Sequence, residues 1–192
     1  MLLELDPGGL CKEINASDVD KFLAGLSPSS PAEQVRYELA VELLDDIRRL
    51  DEQLKASHKR IRTAIAASGT TLTDVFGIGP IIAAMLIGFS GDIGRFANRD
   101  RYAAYDGTAP VEFSSGGRTV HRLSTRGNRN VNNALHLAAV CQLRQPHCDG
   151  RAYFDRRVAE GKTSKEALRA LKRQISNTVY RHLVADAANT RG

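Results

Sequence analysis

From residue 32 to residue 68 the chain contains neither glycine nor proline, and that single run limits the architectures open to it more than any other stretch. It opens on Ser30-Pro31-Ala32-Glu33, a capping box with proline at the first helical position, and closes on Ser68-Gly69. These signals predict one helix of roughly 36 residues, about 54 Å long at ~1.5 Å per residue. Its apolar positions Ala40, Leu43, Ile47, Leu50, Leu54, Ile61 and Ala64 keep a heptad broken by Ser57, with Glu42, Asp46, Arg49 and Lys55 among the charges between them. A seam that narrow on a helix that long predicts a coiled-coil arm joining copies into a dimer or tetramer; the competing outcome is a helix packed on its own domain.

The charge is divided unevenly along the chain. Residues 1 to 69 hold 9 Lys/Arg against 12 Asp/Glu, a balance of −3, while residues 114 to 182 hold 14 against 4, a balance of +10. A basic half of that size is expected to displace counterions from a nucleic acid and to bind it in a salt-sensitive way. Absence of tryptophan argues against broad stacking of single-stranded bases as the main mode. The longest apolar run, residues 81 to 87, is too short to span a bilayer, and the first residues lack the basic start of a signal peptide. Three cysteines without C-x-x-C spacing fit a reduced, cytoplasmic protein, and His136, Cys141, His147 and Cys148 lack zinc-ligand spacing, so no metal is expected on this chain.

After the long helix, Phe76-Gly77-Ile78-Gly79-Pro80 is a glycine turn leading into an apolar run, the pattern of a helix-hairpin-helix. Gly77 and Gly79 allow a tight turn and close approach, and free N–H groups at the following helix start suit a phosphate; a plain turn between packed helices is the alternative. Asn98 is expected to cap a helix ending near Asp106-Gly107, and Arg95 to lie on the rim of the turn. Gly127 or Asn128 should begin a helix through Arg144 with Val131, Leu135, Ala138, Ala139 and Leu143 inward. A further helix ends at Gly161, and Thr163-x-x-Glu166 caps a last one to about Asp186, carrying Lys165, Arg169, Lys172 and Arg173 opposite its apolar side. These four are expected to contact phosphates.

The stretch 108 to 129 is the least ordinary. Ser114-Ser115-Gly116-Gly117 is too polar and glycine-rich for a core element and is expected to form a flexible serine-bearing loop, followed by Arg118, His121, Arg122, Arg126 and Arg129. A serine is a weak nucleophile unless a base or strong charge stabilisation assists it, and guanidinium forks match phosphate oxygens. That combination points to phosphoryl transfer to serine, with Arg118, Arg122, Arg126 and Arg129 clamping the phosphate. His121 is a candidate acid or base, or a phosphate contact, and Asn128 positions the strand or caps its helix.

Several separated blocks, Gly77-Ile78-Gly79-Pro80, Gly91-Asp92-Ile93, Arg95-Phe96, Ala104-Tyr105, Ala109-Pro110, Ser114-Ser115-Gly116 and Ser124-x-x-Gly127-Asn128-Arg129, together resemble the C-terminal transposase domain of the IS110 group of DEDD transposases. The resemblance runs from about Ser30 to His182. It implies Ser115, the serine directly before the glycine, as the nucleophile that attacks DNA, with Ser114 second. It also implies double-stranded DNA and a guiding bridge RNA as partners, and an upstream RNase H-type domain whose four acids hold divalent metal, magnesium by implication. Residues 1 to 29 contain no such acidic set and are expected to be the remnant of an upstream domain or linker.

The expected map is thus mainly α: residues 1–29 as that remnant, 30–69 as a coiled-coil arm, 70–186 as a compact helix-hairpin-helix transposase domain, and 187–192 as a disordered tail. Strand transfer with a serine nucleophile is one expected function. The other is a truncated transposase that only binds DNA and oligomerises.

Overall fold

The computed structural model describes residues 15–115, 118–123 and 127–191, without the side chains of 111–126 and 190–191. The fold is mainly α. Its elements are α1 (Ala16–Ala24), α2 (Pro31–Ala67), α3 (Pro80–Ser90), α4 (Arg99–Asp106), strands β1 (Pro110–Ser115) and β2 (Arg118–Leu123), then α5 (Arg129–Arg144), α6 (Asp149–Ala159) and α7 (Ser164–Arg191). Short 3-10 turns at Thr71–Asp74 and Ile93–Arg95 bracket α3. The chain divides into two compact units between Arg60 and Ile61.

In the first unit, the 37-residue α2 starts as its caps predict. The Glu33 N–H donates to Ser30 Oγ at 3.2 Å, but the Glu33 carboxylate accepts from the N–H and hydroxyl of Ser29 rather than from Ser30. Helix α1 is held by a capping box between Asn15 and Asp18. Leu23 of α1 packs with Ala40 and Leu44 of α2, and an ion pair joins Arg48 to Asp20 at 2.9 Å. Ala40 thus serves this small core. Leu43, Ile47, Leu50 and Leu54, the middle of the heptad, are 46–59% exposed.

The second unit is built on α5. Val131, Ala134, Leu135, Ala138 and Ala139 are fully buried, the i, i+3, i+4, i+7, i+8 stripe of a helix covered on one whole face. Helices α3, α6 and α7 pack against it, and α4 packs against α7. Small alanines at the contact let these helices approach closely. Helix α7 contributes Ala167, Leu171, Ile175, Val179 and Leu183. Tyr102 closes the core, its ring edge-on to Phe96 at 5.2 Å and its hydroxyl paired with Ser90 Oγ at 2.9 Å.

Two elements differ from the sequence expectation. Helix α7 continues to Arg191 where a tail from 187 was expected, because Ala187-Ala188-Asn189-Thr190 offers no breaker. The serines expected on a loop lie on β1, paired antiparallel with β2 so that Ser115 stands opposite Arg118 and Ser114 opposite Thr119. The physical reason is local pattern: Val111 and Phe113 alternate on β1, Val120 stands opposite Phe113 on β2, and two glycines link the strands.

Candidate nucleic-acid interface at the foot of the serine hairpin

The hairpin leaves α4 and enters α5 through two glycines that nearly touch. Gly107 closes α4 in the left-handed conformation, φ 74°. A Cβ on Gly127 would meet the Gly107 nitrogen at 2.5 Å and its Cα at 2.7 Å, so only glycine fits there. Beside this contact the Asn128 N–H donates to the Tyr105 carbonyl at 2.6 Å, and Asn128 Nδ2 donates to the Tyr105 hydroxyl at 2.7 Å. The same hydroxyl donates to the Phe89 carbonyl. Asn128 Oδ1 also accepts from the N–H groups of Asn130 and Val131, which caps α5. One asparagine therefore ties the outgoing strand to α4 and starts α5.

Under the foot lies a buried polar network. Asp106 is fully buried and accepts from Ser176 Oγ at 2.5 Å and from the Thr108 N–H at 2.8 Å. Asn132 Nδ2 donates to the Asp106 carbonyl, and Asn132 Oδ1 accepts from Lys172 Nζ at 2.7 Å. Burial pushes the Asp106 carboxyl above the usual carboxylate range, against the hydrogen bonds from Ser176 and Thr108. Burial likewise draws the Lys172 ammonium down, against the attraction of Asp106. Lys172, expected on the exposed side of its helix, is only 9% exposed.

A cavity of 280 Å³ opens beside the foot, between Gly107-Thr108-Ala109-Pro110 and the start of α7. Lys162, Arg169, Lys172 and Arg173 line it, with Glu166 the one carboxylate among its lining residues. Glu166 is occupied by the Thr163 hydroxyl and N–H, whose hydrogen bonds hold its carboxyl below the ordinary range. Arg173 Nη2 bonds Asp100 at 2.5 Å, while its buried Nη1 finds no acceptor among the described residues. The site is a cationic wall facing the base of the serine hairpin.

A family model described as the transposase IS116/IS110/IS902 family matches residues 69–155, from the first 3-10 turn through the hairpin to α6. The chain belongs to this transposase family. An insertion element IS110 protein of Streptomyces coelicolor is 32% identical over 143 residues, covering 72% of this chain and 35% of that protein. Insertion element proteins IS116 of Streptomyces clavuligerus and IS900 of Mycobacterium paratuberculosis are 28% and 27% identical over 154 residues, each covering 78% of this chain and 38% of the relative. The chain therefore spans 35–38% of the length of these relatives.

Within this transposase-family fold the predicted site residues separate into groups. Ser114, Ser115, Arg118, His121 and Arg122 share the hairpin, where His121 pairs with Glu112 rather than with either serine. Arg126 lies outside the described residues. Arg129 is the exposed first residue of α5. Arg169, Lys172 and Arg173 meet in the cavity wall, and Lys165 is exposed one turn before Arg169, whose Nε donates to its carbonyl.

The glycine turn and Arg95 are held by internal contacts. Gly77, φ 86°, sits where a Cβ would meet the Ala138 carbonyl of α5 at 2.8 Å, and Gln142 Nε2 donates to the Phe76 carbonyl. Gly79 caps α3 with open space around it. The Arg95 guanidinium stacks 4.5 Å from the ring centres of both Phe96 and Tyr105.

Sequence inspection missed Asp106, Ser176, Asn132 and Lys162, whose only signal was proximity to motif residues. Among the described residues no group of His, Cys, Asp or Glu could hold a metal ion, so those residues do not fit the divalent metal that the resemblance places on an upstream domain. No described helix is long and apolar enough to cross a membrane.

Proposed function

We propose that this chain is the DNA-binding and strand-transfer part of an insertion-sequence transposase, with Ser115 as the nucleophile. The observation that carries this is the hairpin itself: the candidate serine is paired across the ladder with Arg118, and the foot of that ladder borders a wall of four cations. An arginine at the register position opposite a serine is the residue type that stabilises charge on an entering phosphate, and the cations at the foot would hold the neighbouring backbone. In the proposed step the Ser115 oxygen bonds to phosphorus, the bond to the 3′ oxygen breaks, and the serine proton leaves as the released strand end gains one. Divalent metal, held by an upstream domain on the same or another chain, would polarise the phosphate.

Oligomerisation belongs to the same proposal. Leu43, Ile47, Leu50 and Leu54 are exposed at heptad spacing, a seam that the same helix of a second copy fills knob into hole. A guide RNA is a further partner, tested by competition against DNA for the same cations.

The test supplies the upstream acidic domain in trans and traps covalent DNA adducts. An adduct carrying a 5′-phosphate, retained in Ser114→Ala and abolished in Ser115→Ala, is the expected result. DNA binding with an active complement but without any adduct would leave a DNA-binding, oligomerising protein and remove the catalytic role.

A further inference from the structure

The cavity beside the hairpin foot is not built like a simple phosphate clamp. Its lining has an apolar part, Ala109 and Pro110 from the chain entering β1 and Ala170 of α7, beside the cations Lys162, Arg169, Lys172 and Arg173. Backbone phosphate is met by charged and polar groups, so an apolar part of the lining gives it no partner. At 280 Å³ the space lies near the ~300 Å³ lower end of small-molecule sites, enough for one nucleotide and too little for two stacked ones.

From these features we infer that the cavity receives a single unstacked nucleotide of the DNA strand, its base against the apolar lining of Ala109, Pro110 and Ala170 and its phosphate on the cations of α7 and Lys162. The inference rests on the DNA-binding proposal above and adds which part of the DNA this wall holds. Taking one nucleotide out of the stack costs least where its base is mismatched, damaged or already single-stranded.

The wall is short of negative charge. Lys172 uses one donor on Asn132, and its nearest carboxylate, Asp106, is engaged by Ser176 and Thr108. Arg173 gives one terminal nitrogen to Asp100, and Nη1 lacks an acceptor until the guanidinium turns toward a phosphate oxygen. Glu166 is committed to capping α7. Lys162 and the α7 residues of this wall lie beyond residues 69–155, the part matched by the transposase family model.

Methyl-resolved NMR of the full chain tests this directly, with titration of deoxyadenosine 5′-monophosphate, deoxyadenosine and inorganic phosphate at fixed ionic strength. Saturable shifts of the Ala109 and Ala170 methyls are expected with the nucleotide, with affinity about tenfold or more above that of phosphate or nucleoside alone, and a loss of at least about tenfold in Ala170→Leu and in Arg169→Gln. Arg169 is exposed, so its variant keeps the fold if Ala170→Leu does not. Absence of saturable shifts, equal binding of phosphate and nucleotide, or unchanged nucleotide binding in Arg169→Gln overturns the inference. Adenosine 5′-monophosphate binding more tightly than its deoxy counterpart would assign the cavity to RNA and overturn it for DNA. Duplex DNA binding is measured in parallel: DNA bound without nucleotide sinks the cavity assignment alone, whereas nucleotide bound without DNA sinks the DNA-binding proposal and, with it, the assignment of that nucleotide to a DNA strand.

Discussion

Two aspartates in the second unit are shifted in opposite directions, although burial acts to raise both. Asp106 is enclosed, and burial raises its pKa in the folded state. The unfolded chain then ionises more readily, so the stability Asp106 contributes is fullest below its ordinary ~3.9 and declines as pH rises through the window up to the folded value. Asp106→Asn should flatten that decline in urea melts from pH 4 to 7, whereas Asp106→Ala should cost about 1–3 kcal/mol by orphaning the Ser176 hydroxyl and the Thr108 N–H. Burial also acts to raise Asp186, but hydrogen bonds from Thr70 and Thr71 outweigh it and the net value is lowered. Its contribution is present above ~3.9 and lost as pH falls through the folded value. Asp186→Asn should therefore cost about 1 kcal/mol near pH 7 and progressively less as pH falls below ~3.9. Neither role is visible in the sequence, because Ser176 lies 70 residues from Asp106 and Thr70 lies 116 from Asp186. The caps at Ser30, Asn98, Asn128 and Thr163 were legible because both partners of each cap lie within a few residues.

Helices were legible here and the hairpin was not, for a reason of pattern length. The stripe on α5 repeats over several turns, while β1 and β2 are six residues each, and their alternation is diluted by serines, arginines and the paired glycines. What holds the hairpin foot is a backbone contact, and backbone contacts leave no periodic trace. Gly127→Ala puts a methyl within 2.7 Å of two Gly107 backbone atoms, which have no side-chain freedom to yield. It should cost about 1–3 kcal/mol in denaturant melts, and Gly79→Ala, with open space around its site, should be close to neutral by the same measure. The arm is a different case, because its caps fix where α2 begins but do not fix what covers Leu43, Ile47, Leu50 and Leu54. If a second copy covers them, Ile47→Glu with Leu50→Glu should convert the assembly to monomer in light scattering while leaving the helix content unchanged, since both residues are exposed within the single chain. An unaltered mass would exclude the seam as the interface.

The distribution of charge along the whole chain turns that sequence count into a binding prediction. Residues 1 to 69 carry a balance of −3 and residues 114 to 182 a balance of +10, so DNA should be drawn to the second unit rather than to the arm. Each phosphate neutralised releases counterions, and log K should fall with log salt by ~0.9 per contact on duplex DNA. Lys162, Lys165 and Arg169 are exposed near the start of α7, so changing all three to glutamine should leave the fold intact. The magnitude of the salt slope should then fall by about 2–3, with affinity reduced uniformly across DNA sequences because phosphate contacts carry no base information. Lys55→Gln, on the acidic arm, should leave the slope unchanged even though it removes the same kind of charge. Equal effects from the arm and from α7 would mean that attraction is spread over the chain's net charge. In that event the cationic wall beside the serine hairpin would lose its claim to hold the strand on which Ser115 is proposed to act.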